Sequence, residues 1–290
     1  MIPALEATGL GRRYGRAWAL RDCSLSVPAG RVAALVGPNG AGKTTLLHLA
    51  VGLLSPTAGS VRVFGETGRR DRVAFLAQDK PLYDGFTVAE TLRFGRGLNP
   101  SWDDGFARER LAALGIPLRG KTGALSGGQR AQVALTVALA KRPRLLVLDE
   151  PLANLDPLAR HAVMRGLMEA VAETGLSVLL SSHVVSDLEH TCDWLVVLNG
   201  GRVQVSGAVD DLLEGHRLLT GPAEEADAVA ARLPVVARDR AGRRETLLAR
   251  AGDPVLGPAW ASAPVSLDDL VMAYLREPEA AALPRPALAR

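Results

Sequence analysis

The sequence is poor in cysteine, aromatic residues and lysine, and each shortage narrows what the protein can be. Its 290 residues include 2 cysteines, and Cys23 and Cys192 stand far apart without a CxxC or Cys/His context. This arrangement excludes a disulfide framework or a zinc module and predicts two buried thiols in a reducing compartment. Aromatic residues make up only 4% of the chain, so leucine, valine and alanine must fill the core.

Long apolar runs are also missing. No segment approaches the roughly 18 to 20 apolar residues that a membrane-crossing helix needs. The N-terminal sequence MIPALEATGLGRRYG lacks the basic-then-apolar pattern of a signal peptide. We therefore expect a cytoplasmic protein that reaches a membrane only through a partner. With 48% hydrophobic and 22% charged residues, the composition is that of a globular chain rather than a disordered or fibrous one.

The charge is close to balanced. The formal net charge is +3, and arginine is interspersed with aspartate and glutamate along most of the chain. This pattern predicts a mixed, solvated surface and no nucleic-acid partner. Lysine is rare, and Lys43 closes a glycine-rich loop, where a compact ammonium group suits a phosphate.

That loop, GPNGAGKTT, stands between an apolar strand at residues 31–37 and a helix at 44–52. Strand, GxxxxGK[ST] and helix follow in the order that binds phosphate. Backbone N–H groups form an anion nest, and the helix start adds its positive dipole end. We expect Lys43 to reach the β and γ phosphates and Thr44 to bind Mg²⁺. The predicted nucleotide-binding residues here are Gly37, Pro38, Asn39, Gly40, Ala41, Gly42, Lys43, Thr44 and Thr45.

Two other segments carry candidate catalytic groups. The apolar strand RLLVLDEP, residues 144–151, ends in Asp149 and Glu150, beside the expected phosphate loop. There Asp149 would bind Mg²⁺, and Glu150 would polarise a water molecule against the γ-phosphate. LSGGQ precedes a helix, so Ser126 is predicted to cap it while two glycines expose N–H groups to an anion. Because one phosphate loop needs one cradle, LSGGQ would serve a neighbouring molecule's nucleotide.

Apolar strands alternating with helices predict an α/β fold. Continuous apolar strands between helices indicate a parallel sheet covered on both faces. We expect short strands before it, a helical subdomain inserted at about 80–140, and a helix at 185–191. Composition shifts after Ala208, which suggests one domain over 1–210 and a small α+β extension over 211–290. The extension should contain a strand at 216–221, a helix at 224–233, a hairpin at 235–250, an amphipathic helix at 266–277 and a frayed tail.

The order of these motifs resembles that of the nucleotide-binding subunits of ATP-binding-cassette (ABC) transporters. The matching segments are GPNGAGKTT, Gln78 in FLAQ, LSGGQ, LLVLDEP, ANLD at 153–156 and SSH at 181–183, which together cover roughly the first 210 residues. The resemblance implies a P-loop NTPase core with an N-terminal antiparallel β subdomain, and hydrolysis of ATP with Mg²⁺. It also implies two partners, an integral membrane permease and a second copy or related ATPase subunit, at the cytoplasmic face of the cell membrane.

The resemblance further implies a role for single residues. Tyr14 would stack on adenine, and Gln78 would sense Mg²⁺ and the attacking water. Asp156 would touch the opposite subunit's phosphate loop, and His183 would contact the γ-phosphate. The opposite subunit would complete the site with Ser126, Gly127, Gly128 and Gln129.

Alternatives remain open at this point. A soluble ABC ATPase acting on ribosomes or DNA is one, but one cassette, no heptads and no Cys/His cluster favour the transporter motor. The direction of transport is a second open question. Three segments resemble those of drug and antibiotic exporters, with an importer as the alternative; they are YDGFTVAETLRFG, NPSWD and SLDDLVMAYL. Leu82, Tyr83 and Phe86 either receive the permease or form core. The arginines after 237 either lie on a solvated hairpin or contact lipid; they are Arg238, Arg240, Arg243 and Arg244.

Overall fold

The structure, a computed structural model, describes residues 2–67, 71–185, 188, 191–252, 254 and 256–277. Its strands are β1 (Leu5–Tyr14), β2 (Ala17–Val27), β3 (Val32–Val36), β4 (Ala58–Val63), β5 (Val73–Leu76), β6 (Leu145–Leu148), β7 (Ser177–Ser182), β8 (Trp194–Asn199), β9 (Arg202–Ala208), β10 (Arg217–Pro222), β11 (Val235–Ala241), β12 (Arg244–Ala249) and β13 (Ala261–Pro264). Its α-helices are α1 (Lys43–Ala50), α2 (Val88–Leu98), α3 (Asp104–Ala113), α4 (Gly127–Ala140), α5 (Pro157–Thr174), α6 (Val209–Glu214), α7 (Ala226–Ala230) and α8 (Leu267–Arg276). The predicted helix at 185–191 and the predicted tail lie largely outside the described residues.

Six strands form the central sheet, in the order β5-β6-β7-β3-β8-β9. The first five run parallel, and β9 pairs antiparallel with β8. Strands β3 and β6 consist wholly of buried apolar residues, as a sheet covered on both faces requires. The α/β class and the two buried strands expected from the sequence are therefore confirmed.

Strand β9 is the part of this sheet that was not expected from the sequence. It follows β8 through a hairpin turn in which Gly200 (φ 54°) and Gly201 (φ 73°) both have positive φ. Two-residue turns of this kind need positive φ at both central positions, which glycine supplies without steric cost. The expectation of a parallel sheet is thus corrected at one edge, where RVQVSGA owes its strand conformation to pairing with β8.

A second, antiparallel sheet has the order β2-β1-β4. Its apolar face shares one hydrophobic core with α1 and one face of the central sheet. Strands β1 and β2 are 10 and 11 residues long, not short as expected, and register shifts interrupt their pairing. Such irregularities let a long strand pair bend around the helix it covers.

Helices cover the opposite face of the central sheet. Buried residues of α4, α5 and α8 share one core with it, whereas α2, α3 and part of α4 enclose a smaller core. The starts of α2 and α4 carry capping boxes, Thr87 with Glu90 and Ser126 with Gln129. Each box pairs N–H groups that the first helical turn cannot pair itself.

The C-terminal residues form a four-stranded sheet of order β11-β12-β10-β13, with a small core of its own. The hairpin β11–β12 and the helix α8 lie where the sequence predicts them. The predicted helix at 224–233 is wrong in length, because α7 has only 5 residues and Pro234 restrains the chain after it. Helix α6 and strand β13 were not expected from the sequence.

A buried polar chain fastens α8 to this region. Arg250 Nε donates to the hydroxyl oxygen of Tyr274 (2.6 Å), and that hydroxyl lies 2.9 Å from Nε2 of His216. The other ring nitrogen, Nδ1, lies 2.6 Å from the carbonyl oxygen of Leu212. A neutral His216 with its proton on Nδ1 satisfies all three bonds. Burial lowers the pKa of His216 to about 4 from 6.5.

Acid should therefore destabilise the fold through His216. Its folded pKa lies below the unfolded value, so the unfolded chain binds the extra proton, and stability present above pH 6.5 is lost as pH falls toward 4. The loss should be about 3 kcal/mol. Urea unfolding at pH 7.5 and pH 4.5 measures it, with His216→Gln as the control, because an amide offers a donor and an acceptor but cannot titrate. Equal pH dependence in the two proteins would contradict this assignment.

Candidate active site

The glycine-rich loop joins β3 to α1 at the carboxyl end of the central sheet. Gly40 (φ 81°) and Gly42 (φ 102°) adopt a conformation that L side chains rarely take. A Cβ atom at Gly37 would collide with the carbonyl oxygen of Leu198, so the loop also needs glycine where it begins. The open backbone of the loop and the start of α1 meet the requirements of an anion site.

Lys43, the first residue of α1, is buried beneath this loop. Its Nζ donates to the carbonyl oxygens of Gly37 (2.7 Å) and Pro38 (3.3 Å). The same Nζ lies 3.4 Å from Oε1 of Glu150. An ammonium group has three N–H donors, so these contacts occupy all of them.

Asp149 and Glu150 follow β6, and Ser181 of β7 links them. The Ser181 hydroxyl donates to Oδ1 of Asp149 (2.7 Å) and accepts from the backbone N–H of Glu150 (2.9 Å). Asp149 is only 3% exposed, and the Ser181 bond orients its carboxylate. Glu150 has φ 44°, a left-handed conformation that costs a non-glycine residue about 1 kcal/mol or more.

Glu150 stands between a cation and an imidazole. While Oε1 faces Lys43, Oε2 lies 2.9 Å from Nδ1 of His183. Glu150 is mostly enclosed and His183 is half-exposed. A cleft of about 20 Å³ is lined by Glu150, Ser182 and His183, among others. That volume is enough for about one water molecule beside the carboxylate.

The structure thus brings Lys43, Asp149, Glu150 and His183 together, as their motifs predict. They come from the carboxyl ends of β3, β6 and β7, which are adjacent in the sheet. Ligands of open α/β sheets bind at this edge. The linking role of Ser181 is not predicted, although SSH contains it.

Gln78 and Asp156 lie on two loops that a third residue joins. Gln78 is exposed just beyond β5, and Asp156 is exposed where its Oδ1 caps α5 at the N–H of Ala159 (2.9 Å). Lys80 Nζ donates to the carbonyl oxygens of Gln78 (3.5 Å) and Ala153 (3.1 Å). Sequence reasoning missed Lys80, because its burial and its bond to the Ala153 loop appear only in the fold.

Among the described residues, neither Tyr14 nor the LSGGQ segment is hydrogen-bonded to this cluster. Tyr14 is 48% exposed at the end of β1, with the Arg12 guanidinium 5.0 Å from its ring centre. The hydroxyl of Ser126 accepts from the N–H of Gln129 (3.2 Å), as predicted for a cap. In the described part of the chain, no hydrogen bond or ion pair joins Ser126 or Gln129 to Lys43 or Glu150.

Comparison with known proteins identifies the family. A family model described as ABC transporter matches residues 20–153. The chain is 34% identical over 274 residues to the Nod factor export ATP-binding protein I of Ralstonia nicotianae, covering 87% of this chain and 83% of that protein. The chain belongs to the ATP-binding subunits of ABC transporters. It is also 36% identical over 211 residues to the aliphatic sulfonates import ATP-binding protein of Rhodopseudomonas palustris, covering 71% of this chain and 75% of that protein.

The fold comparison agrees with the family. A solved ATP-binding subunit of an ABC transporter superimposes with a TM-score of 0.65 at 30% identity, covering 72% of this chain and 91% of its own. ABC subunits of this kind hydrolyse ATP with Mg²⁺, dimerise and power a membrane permease. Among the described residues, no helix combines the length and the apolarity needed to cross a bilayer. The relatives include an exporter and an importer subunit, so the family alone leaves the direction of transport open.

The residues present fit ATP with Mg²⁺. The glycine loop leaves open space at Gly40, where a Cβ atom would meet nothing within 4 Å. Lys43 supplies a cation beneath it, and Asp149 supplies a carboxylate already oriented by Ser181. Oxygen ligands of this kind are what Mg²⁺ prefers.

Proposed function

We propose that this subunit holds ATP between its phosphate loop and Glu150, closes on a second copy, and drives export through a permease. The network of Lys43, Glu150 and His183 at one edge of the sheet carries the proposal. A cation, a carboxylate and an imidazole beside a phosphate loop are groups that transfer of a phosphoryl group to water can use.

In this proposal Lys43 and Glu150 hold each other until a phosphate competes for the lysine. A terminal phosphate carries more negative charge than one carboxylate, so it displaces Glu150 from the Lys43 ammonium. The released carboxylate can then accept a proton from a water molecule in the adjacent cleft, while His183 keeps the Glu150 side chain oriented.

Thr44, Gln78 and Asp149 would hold Mg²⁺, because hydroxyl, amide and carboxylate oxygens are ligands of the kind that Mg²⁺ prefers. Bound Mg²⁺ neutralises charge on the β and γ phosphates. Tyr14 would stack on the adenine from the exposed end of β1. The backbone of Gly37, Pro38, Asn39, Gly40, Ala41 and Gly42, together with Lys43, Thr44 and Thr45, would bind the phosphates.

The second copy would complete each site. Ser126, Gly127 and Gln129 are exposed at the start of α4, where N–H groups and the helix dipole favour an anion. A Cβ atom at Gly128 would approach Ala159 of α5 at 2.9 Å, so this segment packs beside the loop of Asp156. Two exposed segments that adjoin on one subunit can meet the partner's nucleotide together.

We also propose a division into an ATP-binding domain over 1–210, with a helical subdomain at about 80–140, and an extension over 211–290. The core that α2, α3 and α4 enclose supports the subdomain, and the separate core of β10–β13 supports the extension. Helix α8 packs on β8, so the extension also contacts the ATP-binding domain.

An aromatic patch (Tyr83, Phe86 and Phe94) would receive the permease. Tyr83 is 62% exposed, and the rings of Phe86 and Phe94 lie 5.1 Å and 5.6 Å from it. Leu82 packs partly into two cores instead. Three adjoining rings, of which Tyr83 and Phe94 are exposed and Phe86 is half-buried, suit an apolar partner surface on a protein of 4% aromatic content.

Export at the cytoplasmic face of the cell membrane is the direction we propose, with an importer as the alternative. The match to the Nod factor export subunit spans 87% of the chain, which is more than residues 1–210 can account for. The match to the sulfonates import subunit spans 71%. Everted membrane vesicles test the direction, because added ATP drives accumulation of a transported dye only in an exporter.

Replacing Tyr83 with alanine should uncouple the subunit from its permease. The co-purified amount of the membrane protein should fall about tenfold, and permease-dependent change in ATPase rate should disappear. Basal ATP hydrolysis should stay within about twofold, because Tyr83 contacts Phe86, Phe94 and Thr122 of the helical subdomain and shares no described hydrogen bond with Lys43 or Glu150. Ile2→Ala, an equally exposed apolar residue on the β1 side, is the matched control. Loss of ATP binding in the Tyr83 variant would count against this surface.

A further inference from the structure

The hairpin turn between β8 and β9 is built into the phosphate loop. The N–H of Gly201 donates to the carbonyl oxygen of Ala41 (3.2 Å), and the Leu198 carbonyl oxygen fills the space of a Gly37 side chain. Gly201 in turn accepts from the N–H of Arg21 (2.8 Å). Any displacement of this turn must therefore move the backbone that surrounds the phosphates.

Asn199, at the base of that turn, is bonded to the C-terminal helix. Its Nδ2 donates to the carbonyl oxygen of Leu275 (2.8 Å), near the end of α8. The last four carbonyl oxygens of a helix have no N–H partner within that helix. Asn199 donates to one of these carbonyl oxygens of α8, that of Leu275. This hydrogen bond therefore joins the proposed ATP-binding domain, which contains Asn199, to the extension, which contains Leu275.

The turn is also held at a cost. Nε2 of Gln204 donates to the carbonyl oxygens of Asn199 (3.2 Å) and Arg202 (3.3 Å). Gln204 is buried, and in the described part of the chain its Oε1 makes no hydrogen bond. An unpaired buried acceptor destabilises the fold. We therefore expect the two bonds that Nε2 makes to the turn to offset this loss.

Helix α8 is also held in place by the residue that precedes Leu275. Tyr274, next to Leu275, is fully buried and bonded to His216 and Arg250. Helix α8 also packs on β11 of the extension sheet. The position of the Leu275 carbonyl is therefore set by the packing of the extension.

We infer that Asn199 is a positioning residue through which α8 of the C-terminal extension sets the geometry, and hence the ATP affinity, of the phosphate loop. The inference rests on the proposed ATP site and adds its control by a remote segment. Coupling between two sites is reciprocal, so ATP bound at the loop must also steady α8.

The test uses the full chain and fluorescent N-methylanthraniloyl-ATP with Mg²⁺. Asn199→Ala should raise its Kd, and the KM for ATP, by about three- to tenfold, the effect of one lost hydrogen bond, with kcat little changed. Asn199→Asp, which keeps the shape but turns an oxygen toward Leu275, should do the same. ATP should slow amide exchange at 267–276 in the parent but not in Asn199→Ala.

Val229→Ala is the matched control. Val229 packs into the separate core of the extension and should lower thermal stability without changing the Kd. If both Asn199 variants bind the nucleotide like the parent while unfolding at lower temperature, or if Val229→Ala weakens binding equally, Asn199 is only structural and the inference is overturned. A parent that fails to bind the nucleotide would instead overturn the proposed ATP site.

Discussion

Replacing Glu150 with glutamine should lower ATP hydrolysis by at least about 100-fold while leaving ATP bound. The amide keeps the size of the carboxylate and can still reach Lys43 and His183, but it cannot accept a proton from water. In the parent, Lys43 Nζ lies 3.4 Å from Oε1 of Glu150. The uncharged amide of the variant would compete less with the phosphate for this ammonium group. ATP affinity should therefore stay the same or increase, and the variant should accumulate as an ATP-loaded dimer.

Single-turnover hydrolysis and size-exclusion chromatography with ATP and Mg²⁺ measure the two outcomes. Glu109→Gln removes the same charge from an exposed position on α3 and should behave like the parent. Parental hydrolysis by the Glu150 variant would show that another group activates the water. Loss of ATP binding would show that the Lys43–Glu150 pair supports the loop rather than competes with phosphate.

The residues of this cluster could be named from the sequence because phosphate chemistry imposes local patterns. A nest of N–H groups needs glycines at fixed spacing before a helix, and a carboxylate at the edge of the sheet needs an apolar strand before it. Both patterns lie within a few residues of Lys43 and Asp149. Reading them required no knowledge of the tertiary fold.

The contacts that organise the cluster could not be predicted in this way. Ser181 bonds Asp149 and the Glu150 backbone from a different strand, and Lys80 joins the Gln78 loop to Ala153. Such pairs depend on strand order, which no local pattern encodes. Strand β9 is a different case, because the two-glycine turn before it is a local hairpin signal that sequence reasoning missed.

Replacing Ser126 with arginine should have the second large effect, because it should prevent closure of the dimer while leaving ATP binding intact. Ser126 is exposed at the start of α4 and is not among the described contacts of Lys43 in the same subunit. The isolated variant subunit should therefore bind ATP normally. An arginine side chain would occupy the space that the partner's phosphates need, and hydrolysis should fall by about 100-fold. Combined with Glu150→Gln, it should also abolish the ATP-loaded dimer.

Loss of a helix cap alone could imitate that result, and Thr87→Arg controls for it. Thr87 forms the same capping box at the start of α2, so its replacement costs a similar ~1 kcal/mol of stability. The Thr87 variant should hydrolyse ATP like the parent without permease. If the Ser126 variant also does so, or if the double variant still dimerises with ATP, each phosphate loop is a complete site. If hydrolysis and the dimer are lost while ATP binding remains, the loop of one subunit is half a site, completed by the α4 start of the other.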